Sequence, residues 1–195
     1  MGRTRDVSKI LTSNTSILSL ASASTTYATK ASTGLTLINT TSFSGVASFS
    51  FPNDSFTSTY ENYKIVMYLT QSAGSVDLQF RGRVAGSDNT TANYNHQIMY
   101  AESTTIAGFR GSGATAMVIG QIVSTNASNA AVCDIIAPKL TRITTVMGQN
   151  FYPKDNASFY SFAGNFALTT SFDSCSILVP SGNITGKASL YGYNK

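Results

Sequence analysis

Acid–base or nucleophilic catalysis would have to use His96, because the chain contains one histidine. His96 lies between Tyr94 and Ile98 in an alternating segment, so these three side chains are predicted to share one face of a strand. A Ser–His–Asp triad also needs an activated serine and a carboxylate that orients the imidazole. Three aspartates are candidates for that carboxylate: Asp77, Asp88 and Asp134. Because no Gly-x-Ser-x-Gly elbow presents a serine, we predict a hydrogen-bonded structural histidine and no enzymatic activity, with a β-sandwich hydrolase as an alternative.

A glycine-rich segment has the spacing of a dinucleotide-binding motif. The segment from Gly111 to Ala116, with the letters GSGATA, formally matches Gly-x-Gly-x-x-Ala. That motif binds pyrophosphate only when a strand precedes it and a helix N-terminus follows it. Here the β-branched run from Met117 to Val123 follows, and it predicts a strand. We therefore interpret the segment as a glycine-rich turn and expect no cofactor.

The metal-binding residue types are too dispersed for a metal site. The nine acids are scattered, and no Asp-x-Asp calcium loop occurs. Cys133 and Cys175 lie in apolar β-like runs without metal-type spacing around them. We predict no bound metal and two buried free thiols, with a single disulfide between them as the alternative.

A short segment after the polar loop at residues 88–91 has residue types that recognise sugars. Asn93, Tyr94 and Asn95 combine amide hydrogen bonding with an aromatic ring on which a sugar can stack. A strand that enters from a polar turn would have the same composition. Recognition of a host surface glycan is therefore kept as an alternative function.

The elements that must position these residues are strands. Val76, Leu78 and Phe80 alternate with polar residues, which predicts one buried and one wetted face. Comparable segments recur at residues 35–40, 46–51, 63–69, 93–100, 116–123, 131–137, 141–151, 160–168, 175–179 and 184–193. Clusters of Gly, Pro, Asn and Asp separate them as turns. Many short strands without an amphipathic helix predict an all-β, jelly-roll-like antiparallel β-sandwich.

One strand is apolar on both of its faces. Its first face carries Tyr63, Ile65, Met67 and Leu69, and its second carries Val66 and Tyr68. Such a strand is typical of the centre of a sheet that is covered on both sides. In a two-layer sandwich the second cover must come from a loop, from the N-terminal segment or from another subunit. We predict that Val66 and Tyr68 form an intersubunit face.

Charge divides the chain into two parts. Residues up to Asn53 carry four basic residues and one acid, or +3 of the net charge of +4. No cluster of Lys and Arg large enough for a nucleic-acid surface lies in the rest of the chain. No run approaches the ~18 apolar residues of a membrane span. We predict an N-terminal arm at residues 1–33 that docks on another protein through Arg3, Arg5 and Lys9, a β-sandwich body at residues 34–195, and neither nucleic acid nor membrane as a partner.

Four patches of sequence resemble a group of viral proteins. They are MGRTRDVSKI at residues 1–10, ATKASTGLTLI at residues 28–38, FTSTYENYKI at residues 56–65 and GNITGKASLYG at residues 182–192. These patches are similar to small virion structural proteins of tailed bacteriophages, marine and cyanobacterial phages especially. The resemblance implies a non-enzymatic, homotrimeric component of the virion. It would bind other capsid or tail proteins through its N-terminus and project as a tail or head fibre, a knob or a capsid decoration.

Overall fold

The structure is a computed structural model that describes residues 34–71, 74–123, 129–153 and 158–195. Thirteen strands and no helix occur among the described residues. The strands are β1 (Leu35–Val46), β2 (Ser48–Ser50), β3 (Asn62–Gln71), β4 (Val76–Val84), β5 (Ser87–Asp88), β6 (Tyr94–Glu102), β7 (Thr105–Ala114), β8 (Met117–Ile122), β9 (Asn129–Ile136), β10 (Thr144–Tyr152), β11 (Ser158–Phe166), β12 (Ser174–Leu178) and β13 (Ile184–Tyr193). Within the described ranges, no helix is therefore long and apolar enough to cross a membrane.

The strands form two antiparallel sheets that pack together. The larger sheet has eight strands in the order β1-β13-β3-β9-β10-β11-β6-β7. The smaller sheet has five strands, with the order β2-β12-β4-β5 and β8 paired to β4. The chain crosses repeatedly between the sheets, for example from β1 to β2, from β2 to β3 and from β3 to β4. The predicted all-β antiparallel sandwich is confirmed.

The core lies between the two sheets and follows from the period-two alternation. On β3 the inward residues Tyr63, Ile65, Met67 and Leu69 are at most 3% exposed, whereas Tyr68 on the other face is 53% exposed. Leu78 and Phe80 of the smaller sheet belong to the same apolar cluster. Because β3 pairs with β13 on one side and β9 on the other, its predicted central position is confirmed.

The glycine-rich segment is a strand, so its interpretation as a turn is wrong. Gly111, Ser112 and Gly113 belong to β7, which pairs with β6 through a β-bulge between the Tyr94–Ala114 and His96–Gly111 pairs, where Gly113 has a φ of +64°. The chain bends only after this strand, at Thr115 and Ala116. A Cβ at position 111 would lie 2.2 Å from Cε1 of His96. The missing side chain is therefore what lets the buried imidazole pack against β7, and the low β-propensity of glycine hides this strand in the sequence.

Candidate assembly surface

The outer face of the eight-stranded sheet carries a row of apolar side chains across six neighbouring strands. Residues that lie directly opposite each other in the strand register project from the same face. One such row, which we call the apolar stripe, runs Tyr68 (β3), Ala130 (β9), Phe151 (β10), Phe159 (β11), Ala101 (β6) and Ile106 (β7). Its large members are between 37% and 76% exposed. Within the described part of the chain, nothing covers them.

A second row beside the stripe adds to its apolar character. Val66, Val132 and Met99 lie two residues along their strands from the stripe, and their exposures are 43%, 37% and 54%. Met147, one row further, is 42% exposed. The predicted face at Val66 and Tyr68 is therefore exposed in this chain, and it is one end of a larger apolar surface.

Two shallow hollows lie along the stripe. One, of about 240 Å³, lies over Ala130 and is bordered by Val132, Phe151 and Phe159. The other, of about 110 Å³, lies between Ala101 and the same two phenylalanines. The stripe thus alternates projecting rings with recesses at its alanines.

The charged groups beside the apolar rows largely neutralise one another. Lys64 Nζ lies 2.7 Å from Asp134 Oδ1, and the Tyr193 hydroxyl donates a hydrogen bond to the same carboxylate oxygen. Partial burial acts to lower the Lys64 pKa, but the hydrogen bonds to Asp134 and Tyr193 outweigh it and raise the pKa above its usual value. This cluster carries little net charge, and its mutual hydrogen bonds offset part of the cost of removing the charges from water when the surrounding face is buried.

The smaller sheet differs because its outer side is closed by a polar cluster. The Arg83 guanidinium donates to the Ser50 and Ser176 hydroxyls, and the Ser176 hydroxyl donates to Asp88 Oδ1 at 2.6 Å. The same carboxylate lies 3.9 Å from the Arg81 guanidinium. These groups are hydrogen-bonded or ion-paired to one another, although Arg83 Nε has no hydrogen-bond partner among the described residues. The eight-stranded sheet is therefore the better candidate for a contact surface.

His96 does not belong to a catalytic triad among the described residues. It faces the core at 6% exposure and packs edge-on against Phe109 with ring centroids 6.0 Å apart. None of the candidates Asp77, Asp88 and Asp134 hydrogen-bonds to His96 in the described part of the chain. Asp88 and Asp134 interact instead with the groups described above. Its Nδ1 has no hydrogen-bond partner in the part of the chain that the structure describes, so the expected hydrogen bond is missing at that atom.

Burial of His96 makes the stability of the fold depend on pH. Desolvation lowers the His96 pKa below its usual 6.5, and the charge of Asp77 opposes this only in part. The unfolded chain therefore binds the proton more readily than the folded chain. The contribution that neutral His96 makes to the free energy of unfolding is therefore fully present above pH 6.5, and it is lost as the pH falls below that value.

We expect the free energy of unfolding to fall between pH 6.5 and pH 5, by no more than about 1.4 kcal/mol per pH unit, the limit for one proton. Urea denaturation of wild type and His96→Gln at several pH values measures this. The difference between the two proteins removes the contribution of titrating groups that do not interact with His96. Asp77, whose pKa is raised by burial and lowered by the charge of His96, is replaced by asparagine in both proteins of a second pair to remove its contribution as well. Parallel pH profiles for both proteins would contradict the assignment to His96.

The cysteine prediction is confirmed, because Cys133 and Cys175 are free and buried. Burial raises the pKa of Cys133 to about 12, so its thiol stays protonated and unreactive at neutral pH. The alternative of a disulfide between them is not formed.

The glycan prediction is wrong for Tyr94, whose ring is fully buried. Its hydroxyl donates to the Asn89 carbonyl oxygen at 2.9 Å and accepts from the Gly82 N–H at 3.1 Å, so the ring cannot stack on a sugar. Asn95 does lie on the outer face and hydrogen-bonds to Asn165, and Asn93 is half-buried beside it. A polar depression of about 310 Å³ is found there, lined by Asn95, His96, Gln97, Arg110, Ala163, Gly164 and Asn165.

The remaining predicted site residues, Arg3, Arg5 and Lys9, lie outside the described residues. No family model matches the chain, and no curated protein matches it.

Proposed function

We propose that this chain is a non-enzymatic structural subunit of a bacteriophage virion. Its N-terminal arm docks on a capsid or tail protein, and its β-sandwich body projects as a fibre, knob or decoration. The body is held in the assembly through the outer face of the eight-stranded sheet.

The observation that carries this proposal is the exposed apolar stripe. With strands about 4.8 Å apart and rows about 7 Å apart, the stripe and its neighbouring row cover about 24 Å by 14 Å, or roughly 300 Å². Exposed apolar patches of this size commonly mark interaction sites on soluble proteins. A covered sheet face is what the apolar outer residues Val66 and Tyr68 of a central strand require.

Two further observations support a structural role. His96 is 6% exposed and packs against Gly111 of β7 without a hydrogen-bonded acid, and the two thiols are buried, so none of these groups is arranged as a catalytic set among the described residues. The resemblance of four sequence patches to virion proteins supplies the class of particle. The charge of the arm, which holds Arg3, Arg5 and Lys9, suits a partner surface that presents carboxylates.

Mass spectrometry of purified phage particles tests this proposal. We expect the chain in many copies per particle, and we expect a truncation of residues 1–30 to be absent from particles although it is expressed. The triple substitution of Arg3, Arg5 and Lys9 by glutamine should reduce incorporation. Absence of the full chain from particles would rule out the virion role, whereas normal incorporation of the truncation would rule out docking by the arm.

A further inference from the structure

We propose that the apolar stripe is covered by the same face of a second copy of this chain, related by a twofold axis that runs along β10. This inference rests on the proposed structural role and names the partner of that surface. Three features of the face carry it: the sizes of its side chains, its area and the placement of its charges.

The order of large and small side chains along the stripe suits a second copy. A twofold axis along β10 places β9 of one copy opposite β11 of the other, and β3 opposite β6. Ala130 then faces Phe159 of the second copy, so the ring fills the hollow of about 240 Å³ over Ala130. Tyr68 likewise faces Ala101 of the second copy, beside the smaller hollow. Two of the four facing pairs of the stripe thus set a large residue against a small one, as packing at native density favours. In the other two, Phe151 meets its own copy on the axis and Ile106 on β7 faces the Lys187 side chain on β13.

The neighbouring row continues this pattern under the same axis. Val66 on β3 faces Met99 on β6, and Val132 on β9 faces Ser161 on β11. Gln149 lies on the axis and meets its own copy. Away from the axis, the pairing therefore sets Val66 and Val132 of this row against an apolar or small residue.

The area of the face matches what a stable pair needs. β10 is the middle strand of the seven that run from β13 to β7, so an axis along β10 sets these seven strands of one copy against the same seven of the other and leaves β1 outside the contact. Six strand spacings and about seven residues along each strand give about 29 Å by 24 Å, or roughly 700 Å². A standard protein interface buries about 800 Å² on each partner.

The charges of the face do not oppose the pairing. Lys64 and Asp134 neutralise each other within one copy. Lys187 on β13 and Arg110 on β7 are brought to opposite strands at the rim, but they lie two rows apart, or about 14 Å. A second copy that carries the same net charge can therefore pack on this face without close repulsion between Lys187 and Arg110.

Sedimentation velocity of the full chain at micromolar concentration tests the pairing. We expect a mass twice the 20.7 kDa of one chain. Phe151→Lys places two ammonium groups on the axis and should weaken association by about 100-fold or more, giving a monomer. Leu37→Lys is the matched control, because Leu37 is an exposed apolar residue of the same sheet face on β1, outside the contact. It should leave the mass unchanged, and circular dichroism should show both variants folded.

Cross-linking locates the axis independently. Gln149→Cys should be joined to its own copy by a short bismaleimide, whereas Thr40→Cys on β1 should not, since two copies of position 40 lie about 38 Å apart in the pair. The buried Cys133 and Cys175 do not compete.

A monomeric wild type, a mass of three chains, or equal cross-linking at both positions would overturn the pairing. Each of these results would leave the virion role standing. Conversely, absence of the chain from particles would remove the virion role without affecting a pair measured in solution.

Discussion

Replacing Gly82 with alanine should destabilise the folded protein by about 2–3 kcal/mol, the usual cost of overpacking a core. A Cβ at this position would lie 2.5–2.7 Å from three ring atoms of Phe172, far inside normal contact distance. Phe172 cannot move aside easily, because it is fully buried and its ring centroid lies 5.1 Å from that of Phe166. The Gly82 N–H also donates to the Tyr94 hydroxyl, so a shift of β4 strains that bond as well. Urea denaturation measures the loss.

Gly74→Ala is the matched control for this substitution. No atom lies within 4 Å of a Cβ at position 74, and its φ is not in the left-handed region. We expect a change within about 0.5 kcal/mol there. In a Phe172→Leu background the cost of Gly82→Ala should shrink, because the smaller side chain relieves the overlap. Equal costs in both backgrounds would show that Phe172 is not the cause.

Replacing Asn129 with aspartate should cost about 3 kcal/mol or more at pH 7. Asn129 is fully buried; its Oδ1 accepts from the Val123 N–H at 3.0 Å, and its Nδ2 donates to the Leu69 and Val123 carbonyl oxygens, each at 3.2 Å. A carboxylate would place a negative oxygen against these two carbonyl oxygens. An uncompensated buried charge of this kind typically costs 3–5 kcal/mol, on the order of a third of the stability of a domain.

The sign of the pH dependence distinguishes this charge effect from simple loss of packing. Burial would raise the pKa of the introduced carboxyl group in the folded state, so stability is lost as the pH rises and is partly regained at pH 4, where the protonated group can donate one hydrogen bond. Asn89→Asp is the control, since Asn89 Oδ1 accepts from the N–H and hydroxyl of Thr91. We expect that variant to match wild type within about 0.5 kcal/mol at both pH values. A deficit for Asn129→Asp that does not change with pH would exclude the charge effect.

The class of fold could be predicted from local pattern because a strand buries alternate residues whatever its partners are. The alternation of Ile184–Tyr193 predicted that strand with the bounds observed. The strand Thr105–Ala114 was missed because its pairing depends on β6. Its glycines weaken the local signal, and only the packed imidazole of His96 shows why Gly111 is there.

The candidate surface could be predicted only in part. Two apolar residues on the wrong face of a central strand, Val66 and Tyr68, indicated a contact. The rest of the stripe carries no comparable signal, since Phe151 is the last residue of the predicted strand at residues 141–151 and Phe159 precedes the predicted strand at residues 160–168. Tyr94 was misassigned for the related reason that sequence does not show which face of β6 points inward.

The all-β class, the buried thiols and one end of the apolar stripe can therefore be predicted, because each depends on residue type and spacing within a single strand. That Tyr68, Ala130, Phe159 and Ile106 share one row follows from the pairing of the strands and from nothing local. Strand register joins residues that are far apart in the chain, and a slip of one residue would turn each of these side chains into the core.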